Sequence, residues 1–274
     1  MPTKKAFLVG INSYKNPSFS LRGCVNDVDS LAQVLIATRG FAPDDITILK
    51  DAQATQAGIM NGVQQLFESV AEGDVLVFGY SGHGTEFSKS DDQKVVEGLV
   101  PYETVSTASL VSNRDINTIA RQAISTRNLA GKMNFTAIYD CCHSGQMYRA
   151  LAQGKNGEFV FDDSLINRVL DISLLLPEAA ERDIELNDEF QVFSACHHDE
   201  TAADMKANPA LNLDRPRGAF SFVLHNLIKA NPNYSVNDLE RQLLPAIADL
   251  VKPHIQVPVF AVQEAWKSRP ILTV

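Results

Sequence analysis

Cysteine is scarce in this sequence of 274 residues, which has only four: Cys24, Cys141, Cys142 and Cys196. Thiols so few and so scattered exclude a disulfide-stabilised scaffold, which depends on a dense, even set of cysteines. We therefore expect free thiols in a reducing compartment, and we predict a cytoplasmic protein.

Long hydrophobic runs are also missing. No stretch approaches the roughly 18 consecutive apolar residues of a membrane span. The first residues, MPTKKAFLVGIN, place two lysines before an apolar run, but that run is too short for a secretory signal and has no small-residue cleavage pattern. We predict no membrane partner.

Positive charge is in short supply. Lys and Arg number 24 against 33 Asp and Glu, which gives a formal net charge of −9. Nucleic-acid binding gains most of its affinity from Lys and Arg, so this balance predicts no nucleic-acid partner. With 45% apolar and 21% charged residues, the composition is that of a globular chain rather than a disordered one.

The chain alternates apolar runs of strand character with amphipathic stretches of helical character. This alternation predicts an α/β fold with a mainly parallel sheet and helices on both faces. The apolar runs are 6–11, 46–49, 75–80, 135–139, 191–195 and 257–262. The helical stretches lie near 26–38, 55–70, 114–127, 218–230 and 235–251.

An acidic segment interrupts this alternation. Between Glu158 and Glu189 there are ten acidic residues and two basic ones, with weak periodicity. We interpret 153–190 as a surface linker within a single domain, 1–274. It would join a larger half, 1–152, to a smaller half, 191–274.

Candidate catalytic residues follow two of the predicted strands, in "YSGHG" and "DCCHSG". A cysteine becomes a nucleophile when a base lies within hydrogen-bond reach, and that base is usually distant in sequence. His83 fits this role because it follows a buried strand among glycines, whereas His143 is adjacent to Cys142 and adjacent side chains point apart. Period-two geometry puts Asp140 on the same side as Cys142, puts Ser81 with His83, and turns Cys141 away.

Each motif alone also has a structural interpretation. A lone "GHG" favours an ordinary loop histidine, and adjacent cysteines are often just buried small residues. The occurrence of both motifs at the ends of strands in one sheet favours catalysis, because sites in parallel sheets lie at the carboxyl ends of the strands.

These two motifs resemble those of the metacaspases and orthocaspases, within the caspase-like cysteine peptidases. The resemblance extends to "LRGCVNDVDSL", "FSACHHDETAAD" and "RGAFSFVL". It implies a caspase-like three-layer sandwich around a six-stranded sheet, and peptide-bond hydrolysis through a thioester. The dyad would be His83 and Cys142, with the N–H groups of Gly84 and Cys142 facing the oxyanion. Because strand character begins by Ala6, we expect no N-terminal pro-region.

Asp140 needs a role of its own, since a nearby anion raises the pKa of a thiol and opposes thiolate formation. Holding a cationic substrate side chain is the simplest role. In metacaspases the residues matching Asp27, Ser81 and Asp140 line the primary specificity pocket, which implies protein or peptide substrates cut after exposed Arg or Lys, and not after Asp. By itself, Asp27 is equally typical of a helix N-terminus.

We predict no required cofactor and no bound metal, with calcium as the possible exception. Many metacaspases are activated by calcium through an acidic cluster, and Glu97 and Asp115 match two of its positions. Arg149 stands where a further acid is expected, so calcium dependence should be weak or absent. Asp91 and Asp92 lie nearby but are typical of a solvated loop.

Three other functions are compatible with parts of the sequence. A zinc site could use cysteines and histidines, but no CxxC or HxxxH spacing is present. A thiol-redox site would need a strained vicinal disulfide. The main alternative is a catalytically silent caspase-like binding or scaffold protein, since a fold alone does not establish activity. The zinc candidates are Cys142, His143, Cys196, His197 and His198.

Overall fold

The computed structural model describes residues 2–88, 95–141, 165–167, 190–197 and 200–273. The linker 153–190 therefore lies almost entirely outside the described residues, as do Cys142 and His143. Among the helices described, none is both long enough and apolar enough to cross a membrane.

A six-stranded sheet forms the centre of the molecule. Its strands are β1 (Lys4–Gly10), β2 (Ile46–Lys50), β3 (Val75–Ser81), β7 (Asn134–Asp140), β9 (Gln191–Ser194) and β12 (Val259–Ala261). They are arranged in the order β12-β9-β7-β3-β1-β2. All neighbouring pairs are parallel except β12 with β9. The predicted α/β class and mainly parallel sheet are confirmed.

Among the described residues, six α-helices connect or flank these strands. They are α1 (Cys24–Arg39), α2 (Gln56–Phe67), α3 (Asn113–Thr126), α4 (Ala219–Ala230), α5 (Val236–Leu250) and α6 (Glu264–Lys267). Three of these helices have a hydroxyl side chain at the N-cap, and its oxygen accepts a hydrogen bond from a backbone N–H of the first turn. The three N-cap residues are Thr55, Ser112 and Ser235. Such caps satisfy N–H groups that have no partner inside the helix, which fixes where each helix starts.

Two hydrophobic cores lie on opposite faces of the sheet. Side chains of β1 alternate between them: Phe7 and Val9 belong to the core under α2 and α3, and Leu8 to the core under α1, α4 and α5. The same alternation holds in β3 and β7, because successive strand residues point to opposite faces. The result is the three-layer arrangement that the motif resemblance implied.

Two small antiparallel sheets were not predicted. The first joins β4 (Gly84–Ser88), β5 (Val95–Leu99) and β6 (Val111–Ser112). The second joins β8 (Leu165–Asn167), β10 (Ala203–Met205) and β11 (Arg217–Gly218). Of these strands, β6, β8, β10 and β11 have only two or three residues, which carry too little periodicity to be read from sequence. β8 shows that one part of the acidic segment pairs with the smaller half.

Candidate active site

Two polar strand ends meet at the carboxyl edge of the large sheet. Ser81 is the last residue of β3 and Asp140 is the last residue of β7, and the two are register partners. Both are buried, at 2% and 1% exposure. The sequence prediction that these motifs meet at one edge follows from parallel pairing, and the geometry agrees with it.

His83 lies just beyond β3 and is held from several directions. Its Nε2 lies 2.8 Å from the carbonyl oxygen of Phe19, and its backbone N–H donates to Oη of Tyr14 at 2.8 Å. The imidazole packs on the rings of Tyr14 and Phe19, with centroids 5.1 and 6.2 Å away. Because a carbonyl oxygen only accepts hydrogen bonds, Nε2 carries the proton, and Nδ1 of neutral His83 is the basic nitrogen.

Two buried tyrosines fix the backbone at this turn. Oη of Tyr80 donates to the carbonyl of His83 at 2.7 Å. Burial raises the pKa of Tyr14 and of Tyr80 far above the usual range, so both phenols stay neutral. A Cβ on Gly82 would stand 2.6 Å from Oη of Tyr80 and 2.9 Å from Oη of Tyr14, so only glycine fits between them.

The strand alternation that grouped Ser81 with His83 does not reach the histidine. β3 ends at Ser81, so His83 is no longer on a pleated strand. Its ring packs on Tyr14, which belongs to the core under α2 and α3, whereas Ser81 bonds to Asp27 of α1. The histidine is therefore positioned by the β1–α1 loop and not by strand geometry.

Cys141 and Asp140 face opposite sides of the sheet, as predicted. Cys141 is fully buried in the core under α2 and α3, and its carbonyl accepts the thiol of Cys196 at 3.7 Å. Cys142 lies outside the described residues. Gly84, the other predicted oxyanion donor, is the first residue of β4.

Asp27 lies in the first turn of α1 and is 1% exposed. Its Oδ2 accepts the hydroxyl of Ser81 at 2.9 Å, and its Oδ1 accepts Nε–H of Arg217 at 2.6 Å. The backbone N–H of Gly218 lies 3.1 Å from both carboxylate oxygens. This buried carboxylate is thus bonded by the larger half at Ser81 and by the smaller half at Arg217 and Gly218.

The two predicted pocket acids converge on the N-terminus of α4. Asp140 Oδ2 accepts the backbone N–H of Ser221 at 3.0 Å, while Asp27 accepts that of Gly218. Gly218 is the N-cap of α4 and has no side chain to cap it. N–H groups and the helix dipole favour negative charge at this end, so α4 stabilises both buried carboxylates.

Arg217 also contacts a buried histidine. Its Nη2 lies 2.8 Å from Nδ1 of His225, and His225 is 1% exposed. Burial is the main reason that the pKa of His225 lies well below its ordinary value, with repulsion from Arg217 and Lys229 adding to the effect. His225 is therefore neutral, and its Nδ1 accepts a hydrogen bond from Arg217.

Two further residues brace the start of α1. Asp204 of β10, fully buried, accepts the backbone N–H groups of Arg22 and Gly23 at 2.8 and 3.0 Å. Asn12 accepts the N–H of Cys24 at 2.8 Å, and so caps a helix whose own N-cap residue is glycine. Both contacts fix the turn that carries Asp27.

The predicted calcium residues are each tied to a neighbour. Glu97 Oε2 lies 3.3 Å from Nδ2 of Asn113, and Asp115 Oδ2 accepts the hydroxyl of Ser112 at 2.7 Å. Within the described ranges, no group of three or more His, Cys, Asp and Glu side chains could share a metal ion. Two carboxylates fall short of the six to eight oxygen ligands that calcium takes. Arg149, Asp91 and Asp92 lie outside the described residues.

Sequence reasoning missed several residues that shape this site. The carbonyl of Phe19, Oη of Tyr14 and the guanidinium of Arg217 were not predicted to take part. Their weak signals were the Asn-Pro-Ser turn before Phe19 and the arginine in "RGAF", just ahead of an amphipathic helix. Neither signal specifies a partner, because each partner comes from a distant part of the chain.

The family model described as "Metacaspase, peptidase C14 domain" matches residues 4–150, just over half of the chain. Metacaspase-4 of Arabidopsis thaliana is 38% identical over 156 residues, which is 52% of this chain and 34% of that protein. Metacaspase-1 of Scheffersomyces stipitis is 35% identical over 150 residues, 52% of this chain and 36% of that protein. The matches thus span about a third of these relatives' own length.

Solved structures share the fold over nearly the whole chain. Protein GSU0716 from Geobacter sulfurreducens superposes with a TM-score of 0.65 at 18% identity, covering 100% of this chain and 99% of that one. Caspase-1 from Spodoptera frugiperda gives a TM-score of 0.56 at 15% identity, covering 95% and 87%. At such identities the likeness establishes the fold alone, and that fold is caspase-like.

Proposed function

Since this chain belongs to the metacaspase family of C14 peptidases, we propose that it is a cysteine endopeptidase that hydrolyses peptide bonds after arginine or lysine. The observation that chiefly supports this is the pairing of Ser81 with Asp140 at one sheet edge, just before His83 in the chain. Cys142 follows Asp140 by two residues. Protein or peptide segments with exposed Arg or Lys are the proposed substrates.

His83 and Cys142 are the proposed dyad. Nδ1 of His83 takes the thiol proton, and Sγ of Cys142 attacks the carbonyl carbon of the scissile bond. The N–H groups of Gly84 and Cys142 would stabilise the oxyanion. Nδ1–H then protonates the departing amine, which leaves a thioester. His83 next deprotonates a water molecule, whose attack releases the carboxylate and restores the thiol.

The Phe19 carbonyl supports this role for His83. By accepting Nε2–H, it selects the tautomer with a basic Nδ1 and stabilises the imidazolium that forms during acylation. A backbone carbonyl carries no net charge, so this hydrogen bond orients the histidine without placing a further charge beside it.

The proposed specificity pocket consists of Asp27, Ser81 and Asp140. Carboxylates accept guanidinium or ammonium groups through charge-assisted hydrogen bonds. Backbone N–H groups at the α4 N-terminus bind both acids. An aspartate side chain would be repelled by the same acids, so peptides with Asp before the scissile bond should not be cut.

Labelling with an arginyl chloromethyl ketone tests the proposal directly. We expect mass spectrometry to find the adduct on Cys142 in the wild type and in Cys141→Ala, and none in Cys142→Ala. His83→Ala should lose about 10²- to 10⁴-fold in kcat/KM for an arginyl peptide, the usual contribution of a general base.

The matched control is an aspartyl chloromethyl ketone, which should leave the wild type unmodified. A folded wild type that takes up neither reagent and cuts no peptide would instead identify a catalytically silent scaffold. Equal loss of activity in Cys141→Ala and Cys142→Ala, with both folded, would contradict the choice of nucleophile.

We also propose that calcium has little effect on activity. The carboxylates of Glu97 and Asp115 already accept hydrogen bonds from Asn113 and Ser112, and Arg149 would repel a divalent cation. Hydrolysis of an arginyl peptide should be nearly equal in chelator and in millimolar calcium. A large rise with calcium would contradict this and would point to further ligands.

A further inference from the structure

Arg217 is itself the kind of group that the proposed pocket should bind. Its guanidinium lies against Asp27, with Nε 2.6 Å from Oδ1. The Asp27 side chain is 2% exposed and that of Arg217 is 13% exposed, so the arginine is the partner that remains in touch with solvent. An internal cation therefore occupies a carboxylate that the proposed substrate cation would use.

The geometry of this pair leaves room for exchange. Arg217 contacts Asp27 through Nε, while its Nη2 is turned to the neutral ring of His225. It does not form the two-pronged guanidinium–carboxylate pair in which two N–H groups face two oxygens, which is the stronger arrangement. An incoming guanidinium that forms the two-pronged pair would have the better contact.

The other contacts of Asp27 remain in place during such an exchange. The hydroxyl of Ser81 and the N–H of Gly218 hold the carboxylate on the larger half and at the N-terminus of α4. Displacement of the Arg217 side chain therefore does not require Asp27 to move. The backbone of Arg217 in β11 stays paired with Met205 of β10, so only the side chain has to swing away.

We propose that Arg217 is a specificity-determining residue that competes with the substrate cation for Asp27. This inference rests on the proposed cleavage after arginine or lysine. In the resting enzyme, Arg217 lowers the affinity of the pocket for any cationic side chain. A substrate displaces Arg217 only if its side chain forms a good contact with the acids. The competition therefore raises KM for cationic substrates. It does not involve the catalytic dyad, so kcat should be unaffected.

The first test compares two peptides that differ in charge alone, one with arginine and one with citrulline before the scissile bond. At pH 8 the substitution Arg217→Gln should lower KM for the arginyl peptide about tenfold, the equivalent of one charge-assisted hydrogen bond. Its kcat should change little, and KM for the citrulline peptide should not change. Arg241→Gln, at an exposed ion pair with Asp238, is the matched control and should alter neither KM.

A double substitution identifies the group for which Arg217 competes. In Asp27→Asn the competition no longer exists, so adding Arg217→Gln should leave KM for the arginyl peptide the same. A folded Arg217→Gln enzyme with an unchanged or higher KM would overturn the proposal, because that is the result expected of a purely structural ion pair.

If Arg217→Gln does not fold, Arg217→Lys keeps the charge without the Nε contact and should lower KM by a smaller factor. An unchanged KM in folded Arg217→Lys would then overturn the proposal.

A binding measurement separates this inference from the proposed activity. Agmatine, a small guanidinium compound, can be titrated calorimetrically into Cys142→Ala with and without Arg217→Gln. Agmatine binding that is about tenfold tighter in the Arg217→Gln variant supports the competition. This holds even if no variant cuts a peptide, because that result contradicts only the proposed activity. Peptide cleavage with no change in KM or in agmatine affinity would instead overturn the competition and leave the activity standing.

Discussion

The surroundings of His83 and of Asp27 are built in opposite ways. His83 is held by neutral groups from the larger half of the chain: the Phe19 carbonyl, Oη of Tyr14 and Oη of Tyr80. Asp27 is held by the guanidinium of Arg217 and by the backbone N–H of Gly218 at the N-terminus of α4. Both residues follow Asp27 by about 190 positions in the chain. The described contacts that position the base are thus hydrogen bonds to neutral groups, whereas those of the acid include charge compensation across the fold.

The two parts of the site should therefore respond differently to substitution. A neutral hydrogen bond contributes modestly to stability, and its loss mainly loosens geometry. A buried ion pair is different, because removing one partner leaves the other charge without compensation. We therefore expect substitutions near Asp27 to alter stability strongly, and substitutions near His83 to alter catalysis first.

The largest expected effect on stability comes from breaking the Asp27–Arg217 ion pair. In a Cys142→Ala background, Asp27→Asn should lower the free energy of unfolding by about 3–5 kcal/mol, since it leaves the Arg217 cation without its acid. Adding Arg217→Gln should restore most of this loss, because the pair is then neutral. Urea unfolding of the single and double variants measures both values.

Asp249→Asn provides the control, because it breaks an exposed ion pair with Lys252. We expect no measurable change from it. If Asp27→Asn also left the free energy of unfolding unchanged, charge compensation would not be what stabilises the surroundings of Asp27.

A smaller effect is expected from Tyr14→Phe, which removes the acceptor of the His83 backbone N–H. Leaving that buried group without a partner should lower the free energy of unfolding by about 1–3 kcal/mol. The histidine turn should also loosen, so kcat for an arginyl peptide should fall while KM stays the same. Tyr234→Phe, whose hydroxyl bonds to Gln242 at the surface, should change neither. A rise in KM with constant kcat would show that Tyr14 serves the pocket instead of the base.

The smallest effect concerns acid stability. His225 has a pKa well below its ordinary value in the folded protein because of burial and the cations nearby. In the unfolded chain that pKa is about 6.5. As pH falls below 6.5, the unfolded chain therefore takes up a proton that the folded protein does not, and stability falls by up to about 1.4 kcal/mol per pH unit.

His225→Asn should remove this part of the pH dependence between pH 6.5 and 5. His197→Asn, at an exposed position, should keep it. Urea unfolding across that range checks the slope. An unchanged slope in His225→Asn would mean that other groups cause the acid sensitivity on the Asp27 side.

The layers of the fold and the edge at which the site lies were predictable from local sequence patterns. Apolar runs ended within two residues of the observed strands of the large sheet, because buried parallel strands have to be apolar along their length. The motifs after β3 and β7 indicated one shared edge, because parallel pairing brings carboxyl ends together. Short strands such as β6 and β11 escaped prediction, since two residues have no period.

The hydrogen-bond and ion-pair partners of each site residue were visible only in the tertiary structure. Strand alternation separated Asp140 from Cys141 correctly, but its grouping of His83 with Ser81 was wrong, because β3 ends at Ser81. The sequence indicated Asp27 as a helix-start acid or a pocket acid, and contacts from β11 and α4 supplied the cation and the N–H group that bind it. The physical reason is range: strand and helix patterns follow from neighbouring residues, whereas hydrogen bonds and ion pairs across the sheet edge depend on how distant segments pack.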